Sequence, residues 1–283
     1  MQIIESVGEL LKFVEQDKEK GIKTGLVPTM GALHAGHLSL VKKSREDNDV
    51  TMVSIFVNPV QFNNPEDLAT YPRQPEEDFK LLAREGVDIV FAPTVEEIYP
   101  ENFDRSRQFD LGKVAEVMEG KFRPGHFQGV ALVVSRLFQL CRPTRAYFGM
   151  KDFQQIAVIR QMVRSEGLDV QIVPCPIVRE DSGLALSSRN QLLDAEEKRE
   201  AAEIHKTLQL SKSMLTGHTP EEIIKWVEDR LNAKDGFKVE YFEIVDGKTL
   251  LPIERWDEAE YIVGCITVYV GSVRLIDNIE YKG

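Results

Sequence analysis

Five apolar runs rich in β-branched residues recur in the first part of the chain, at GIKTGLVP, DVTMVSIFV, GVDIVFAP, RAYFGM and DVQIVPCPIV. Segments of helical period lie between several of them. Strands separated by helices run parallel, because the helix carries the chain back to the start of the next strand. The alternation therefore predicts a parallel sheet wrapped by helices. In HFQGVALVVSRLFQLC, Val130, Val133, Val134, Leu137, Phe138 and Cys141 form one apolar stripe at spacings of three and four. PEEDFKLLAREG opens on a proline and acids and closes on a glycine, the asymmetry of a complete helix.

Beyond about residue 180 the rhythm changes. DAEEKREAAEIHKTLQLSKSML and TPEEIIKWVEDRLNA read as successive amphipathic helices, the second opened by Thr219, Pro220 and two glutamates. KVEYFEIVD, EYIVGCITVYV and VRLIDNIEY follow as strands with no helix between them long enough for a parallel crossover. The expected fold class is α/β: a Rossmann-like, doubly wound parallel-sheet domain over residues 1–180, then a smaller α+β domain with an antiparallel sheet over 181–283, covering the active site.

Charge and cysteine content narrow the functional classes. Thirty-five basic against forty-six acidic residues give a formal charge of −11, which argues against general affinity for nucleic acid or anionic membrane. An anionic ligand must then be held by local groups. Cys141, Cys175 and Cys265 are far apart and outside any CxxC spacing, so neither a disulfide framework nor zinc is indicated and a reducing cytoplasm fits. The N-terminus lacks the features of a secretory signal. The most apolar segment, YIVGCITVYVGSV, is interrupted and shorter than the roughly 18 residues of a membrane span.

The polar clusters gather where strands end. PTMGALHAGHLSLV leads from the first predicted strand into a helix, where Gly31 and Gly36 permit close backbone approach and the helix start offers free N–H groups. His34 and His37, three apart, share a helical face and can reach one anion. A tight turn with two partly exposed histidines fits the spacing equally well. Asn58 and Gln61 in FVNPVQF can present amides at the end of the second strand, although a plain turn is the simpler account. Arg123 and His126 in RPGH precede the striped helix, where a Pro-Gly turn explains them nearly as well. In FGMKDFQQ, Lys151 and Asp152 sit where a strand becomes a helix, and Gln154 and Gln155 have no evident structural task there. Ser187, Ser188 and Arg189 in SSRN combine hydroxyls and a guanidinium, as phosphate clamps and helix-capping loops both do. Five such clusters at one sheet edge favour a ligand site. No P-loop, GxGxxG, HExxH or GxSxG motif is present.

Taken together, PTMGALHAGHLSLV, FVNPVQF, YPR, RPGHFQGV, FGMKDFQQ and SSRN, in that order, resemble the pantothenate synthetase (pantoate-β-alanine ligase) family over nearly the whole chain. The first segment resembles the HIGH motif of the wider nucleotidyltransferase superfamily. The resemblance implies ATP-dependent ligation of pantoate and β-alanine through a pantoyl adenylate, releasing AMP and pyrophosphate. It implies His34, His37, Lys151, Ser187, Ser188 and Arg189 around the triphosphate, Gly149 and Asp152 at the ribose, and backbone near Val178 at the adenine. It implies Met30 as an apolar wall touching both substrates, with Asn58, Gln61 and Gln155 on pantoate, and Tyr71, Arg123 and His126 toward the pantoate and β-alanine end. Magnesium is implied, mainly on phosphate and water, with Glu77 as its protein neighbour, and so is a homodimer. A nucleotidyltransferase that leaves the nucleotide on its product, or a nonenzymatic nucleotide sensor, would share the histidine motif.

Overall fold

The computed structural model describes residues 1–62 and 65–283. It divides into two compact units. The first comprises Met1–Gly112, Arg123–Met150 and Gln155–Pro176; the second comprises Lys113–Phe122, Lys151–Gln154 and Ile177–Gly283.

The first unit is built on six parallel strands: β1 (Gln2–Ile4), β2 (Thr24–Thr29), β3 (Val50–Ile55), β4 (Ile89–Phe91), β5 (Arg145–Gly149) and β6 (Gln171–Cys175). Their order across the sheet is β1-β4-β3-β2-β5-β6, and every pairing is parallel. Helices of at least ten residues make the crossovers: α1 (Val7–Glu19), α2 (Ala35–Asp47), α3 (Pro75–Arg84), α4 (His126–Cys141) and α5 (Phe153–Ser165), the last beginning in the second unit's short segment. The five predicted strands and the α/β class are present. The added β1 is too short to carry a periodic signal and forms only by pairing with β4.

Register sets the two faces of this sheet. Leu26, Met52 and Ile89 lie side by side, as do Val27, Val53 and Val90 one residue on, so the two rows point to opposite faces. Val27, Val53 and Val90 join Leu40 and Val41 of α2 and Leu82 of α3 in one buried cluster. Helix α4 packs near β2 and against α1 and buries residues around most of its circumference, including Phe127, Leu132 and Leu140 outside the predicted stripe. Chain order reverses between the neighbouring strands β2 and β5, and open α/β sheets bind ligands beyond the carboxyl ends of such strands.

The second unit carries α6 (Ala195–Lys212), α7 (Pro220–Asn232) and an antiparallel sheet of β7 (Phe237–Asp246), β8 (Ile262–Val270) and β9 (Val273–Lys282). Asp194 and Thr219 cap the two helices with reciprocal capping boxes to Glu197 and Glu222. Ile204, Leu208, Ile223, Val227 and Leu231 of the helices pack on Phe242, Ile244, Ile266 and Val268 of the sheet. Among the described residues no helix is long and apolar enough to cross a membrane.

Gly25 shows how closely α2 lies on β2. A Cβ there would stand 2.2 Å from Ser44 Oγ and 2.4 Å from Asn48 Nδ2. Those groups are already committed, Ser44 to Thr51 at 2.9 Å and Asn48 to the Tyr147 hydroxyl at 2.7 Å. Gly25→Ala should therefore destabilise the fold by about 1–3 kcal/mol, the usual cost of overpacking. Urea unfolding with an unchanged midpoint would show that α2 can move aside.

Candidate active site

The segment after β2 turns through two left-handed residues, Gly31 at φ 79° and Ala32 at φ 50°. Such a turn needs something to hold it, since an alanine there is disfavoured. Asp78, 1% exposed in the first turn of α3, accepts the N–H groups of Ala32 at 2.9 Å and Leu33 at 2.8 Å. Burial raises its pKa from the ordinary carboxylate value, outweighing the lowering by those N–H bonds and by Gln74. A Cβ at Gly31 would meet the same carboxylate at 3.0 Å. Sequence reasoning passed over Asp78, reading it only as one of several acids at a helix start.

The turn delivers His34 to the N-cap of α2 and His37 to its first turn. His34 Nδ1 accepts the Gly36 N–H at 3.1 Å, and His37 Nδ1 accepts the His34 N–H at 3.4 Å. With Nδ1 an acceptor, the neutral form of each ring carries its proton on Nε2. The rings are 4.1 Å apart between centroids. The result is a pair of ring N–H donors at the positive end of a helix.

Beyond β3, Asn58 and Gln61 bracket a short 3-10 turn, Pro59–Gln61. Asn58 is 1% exposed and uses all its hydrogen-bonding positions inside the protein. It accepts from the Tyr99 hydroxyl at 2.9 Å and the Val60 N–H at 3.3 Å, and donates to the Gly129 carbonyl at 3.0 Å and Gln61 Oε1 at 3.1 Å. Asn58 thus braces the turn that presents Gln61, whose Nε2 points at Met30 Sδ at 3.1 Å. Gly129 of α4 allows this packing, because a Cβ would lie 2.7 Å from Gln61 Cα and from the Val60 carbonyl oxygen.

His126, buried at the start of α4, sits between Arg123 Nη1 at 3.2 Å and the Gln61 carbonyl at 2.8 Å. A guanidinium only donates, so Nε2 of His126 accepts and Nδ1–H donates to Gln61, the opposite tautomer to His34 and His37. Met30, Asn58, Gln61, Arg123 and His126 therefore form one connected group. Tyr71 is buried with its ring edge toward Phe62, centroids 5.7 Å apart. Gly149 ends β5, with open space where a side chain would stand, and Gln155 is half-buried in the first turn of α5.

The remaining candidates belong to the second unit. Lys151 and Asp152 complete a 3-10 turn with Nζ 3.3 Å from the Asp152 carboxylate. Val178 gives its carbonyl to the Leu186 N–H at 3.0 Å, which closes a hairpin. Ser187 caps the 3-10 segment Ser188–Leu192 by accepting the Arg189 N–H at 3.3 Å, and Ser188 is buried within it. The expectation that Gln154 has no structural task fails. Its Nε2 donates to the carbonyls of Val114 at 2.8 Å and Val117 at 2.7 Å, and its Oε1 accepts the Glu119 N–H at 3.0 Å.

Glu77 lies on the exposed side of α3, its side chain 64% exposed and paired with Lys80 at 2.8 Å, which lowers its pKa. Among the described residues no group of three or more His, Cys, Asp and Glu side chains is placed to hold a metal ion. The residues around Glu77 do not make a metal cage.

Comparison with known proteins follows the same lines. The pantoate-beta-alanine ligase family model matches residues 2–280. Pantothenate synthetase of Bacteroides fragilis strain YCH46 is 55% identical over 282 residues, covering 100% of this chain and 99% of the relative. That of Porphyromonas gingivalis strain W83 is also 55% identical, covering 100% of both. The crystal structure of pantothenate synthetase from Thermus thermophilus superposes with a TM-score of 0.93 at 43% identity and 100% coverage of both chains. A pantoate-beta-alanine ligase from Francisella tularensis, complexed with beta-gamma ATP and β-alanine, gives a TM-score of 0.80 at 36% identity, covering 99% of this chain and 98% of its own.

Asp78 offers a signed test. Its folded pKa is raised above the ordinary 3.8, so its contribution to stability is greatest below that value and declines as pH rises through the folded pKa. Asp78→Asn mimics the protonated carboxyl at every pH. The stability of the natural protein relative to Asp78→Asn should fall as pH rises from about 4 and then level off. A difference that grows with pH would reverse the assigned cost of burial.

Proposed function

We propose, from the premise that the chain belongs to the pantoate-β-alanine ligase family, that it joins pantoate to β-alanine through a pantoyl adenylate. A pantoate carboxylate oxygen bonds to the α-phosphorus of ATP as the bond to the β-phosphate oxygen breaks, and pyrophosphate leaves with the charge. The uncharged amine of β-alanine then attacks the acyl carbon. AMP leaves with the C–O bonding pair, the new amide nitrogen gives up a proton, and pantothenate results.

The observation that carries this reading is the pairing of His34 and His37 at the start of α2, each accepting a backbone N–H at Nδ1, which in the neutral ring leaves Nε2–H to donate. Donors fixed by backbone hydrogen bonds need no reorganisation when charge develops on phosphate oxygens, and their stabilisation of that charge is the main catalytic contribution open to the protein. Gln61, held by Asn58 and His126, offers its carboxamide to the hydroxyls or carboxylate of pantoate, with Met30 as the apolar wall and Gln155, Tyr71 and Arg123 nearby in role. Asn58 and His126 serve pantoate by fixing Gln61. In the second unit Lys151, Ser187, Ser188 and Arg189 are assigned to the phosphates, Asp152 to the ribose and backbone at Val178 to the adenine; in the first unit Gly149 is assigned to the ribose. The Francisella relative's complex with a nucleotide and β-alanine supports the substrate classes.

Magnesium belongs to the proposal as a partner of the nucleotide, held by phosphate oxygens and retained water. Glu77 does not fit as its ligand, given its pairing with Lys80. A cytoplasmic setting and a homodimer are part of the same proposal, the former supported by three free, buried cysteines.

Release of AMP and pyrophosphate should require pantoate and β-alanine together, and pantoate alone should support exchange of labelled pyrophosphate into ATP. Exchange without pantoate, or none with it, contradicts the ligase reading. His37→Ala should lower exchange by roughly 10²-fold or more, the scale for removing one positioned donor to developing charge. Gln61→Ala should raise the KM for pantoate more than that for ATP; the reverse order would reassign Gln61.

A further inference from the structure

In strand β9 successive side chains leave opposite faces, so two adjacent polar residues can serve two different partners. Asp277 and Asn278 do this. Both are buried, and Asp277 receives Arg179 in a two-point pair, Nη1 to Oδ2 at 2.7 Å and Nη2 to Oδ1 at 2.8 Å. Arg179 Nη1 also donates to the Gly183 carbonyl at 3.1 Å, across a hairpin closed by the Arg179–Ala185 bridge and the Leu186-to-Val178 bond. That hairpin runs directly into Ser187, Ser188 and Arg189. Asn278 meanwhile donates its side-chain N–H to the Lys151 carbonyl at 3.0 Å, and its backbone N–H to Asp277 Oδ1 at 2.8 Å.

Two segments 36 residues apart in the chain, Lys151 and Ser187, are thus tied by short bonds to one dipeptide of an antiparallel strand. The tie on Lys151 acts on the backbone, so it fixes where the lysine starts and leaves its ammonium group able to turn to a ligand. The tie on the hairpin is a planar fork, which sets orientation as well as distance. A purely structural ion pair would need neither the junction with a phosphate-class loop nor the second bond to a lysine carbonyl.

We propose that Asp277 and Asn278 are positioning residues that hold Lys151 and the Ser187–Arg189 loop in the arrangement required for the nucleotide. This rests on the phosphate roles assigned above. Misplacement of a catalytic group by about 1 Å can cost roughly 10²-fold in rate, so loss of a single tether has a measurable effect.

The test compares Asn278→Ala, Asn278→Asp and Arg179→Lys with the natural protein in pantoate-dependent pyrophosphate exchange. Asn278→Asp keeps the size of the side chain without an N–H to donate, and it carries the test if the alanine variant does not fold. Arg179→Lys keeps the charge but loses the fork. Each should lower kcat/KM for ATP about five- to tenfold, with the KM for pantoate within about twofold. Natural protein lacking exchange would defeat the ligase reading itself. Natural exchange with unaltered kcat/KM for ATP in the folded variants would overturn only the positioning role. Equal losses toward ATP and pantoate would overturn it as well, since a general loosening does not discriminate between substrates.

Discussion

The carboxylate of Asp78 is the constraint from which the histidine loop follows. Two backbone N–H groups, on Ala32 and Leu33, converge on it in a buried setting. Without an acceptor there, the left-handed turn at Gly31 and Ala32 would leave two buried donors unpaired, at a cost of about 1–3 kcal/mol each. With it, the chain enters α2 at a defined angle and His34 falls on the N-cap. The raised pKa of Asp78 shows that the arrangement carries a desolvation cost, offset by a fixed loop.

The same logic recurs through the candidate site: one polar group is fully committed so that its neighbour is presented. Asn58 commits its whole amide to the turn that presents Gln61. His126 gives its Nδ1–H to the Gln61 carbonyl, while His34 and His37 give their Nδ1 atoms to the backbone and carry the proton on Nε2. Three histidines in two tautomers result from hydrogen bonds made by the backbone or by Arg123. In the second unit, Gln154 ties Lys113–Phe122 to the segment holding Lys151, and Asn278 takes the Lys151 carbonyl. Preorganisation of this kind reduces the rearrangement needed at the moment of reaction.

Local pattern made much of the fold legible. The striped helix runs over the predicted residues His126–Cys141, because apolar spacing and a preceding Pro-Gly turn mark its start and core. The three C-terminal strands fall within one or two residues of expectation, since their alternation is bounded by turns. The edge strand β1 carries no such signal, being three residues whose pairing is with β4 far along the chain. In the candidate site the clusters could be seen, but the division of labour inside them could not. Asp78 meets its partners 45 and 46 residues away, and Asn278 meets Lys151 across 127, separations that no short motif records. Asn58 and Gln61 look alike in sequence, and only burial distinguishes the brace from the presented amide. Glu77 and Asp78 are adjacent acids of opposite situation, the first solvated and paired with Lys80, the second buried against backbone.

Backbone hydrogen bonds fix both imidazoles of the motif as Nε2–H donors, the form that a phosphate chain can accept from. Nitrogen NMR of histidine-labelled protein, at a pH where the rings are neutral, reads the tautomer of each ring directly. This arrangement predicts protons on Nε2 of His34 and His37 and on Nδ1 of His126. A proton on Nδ1 of either motif histidine would contradict it.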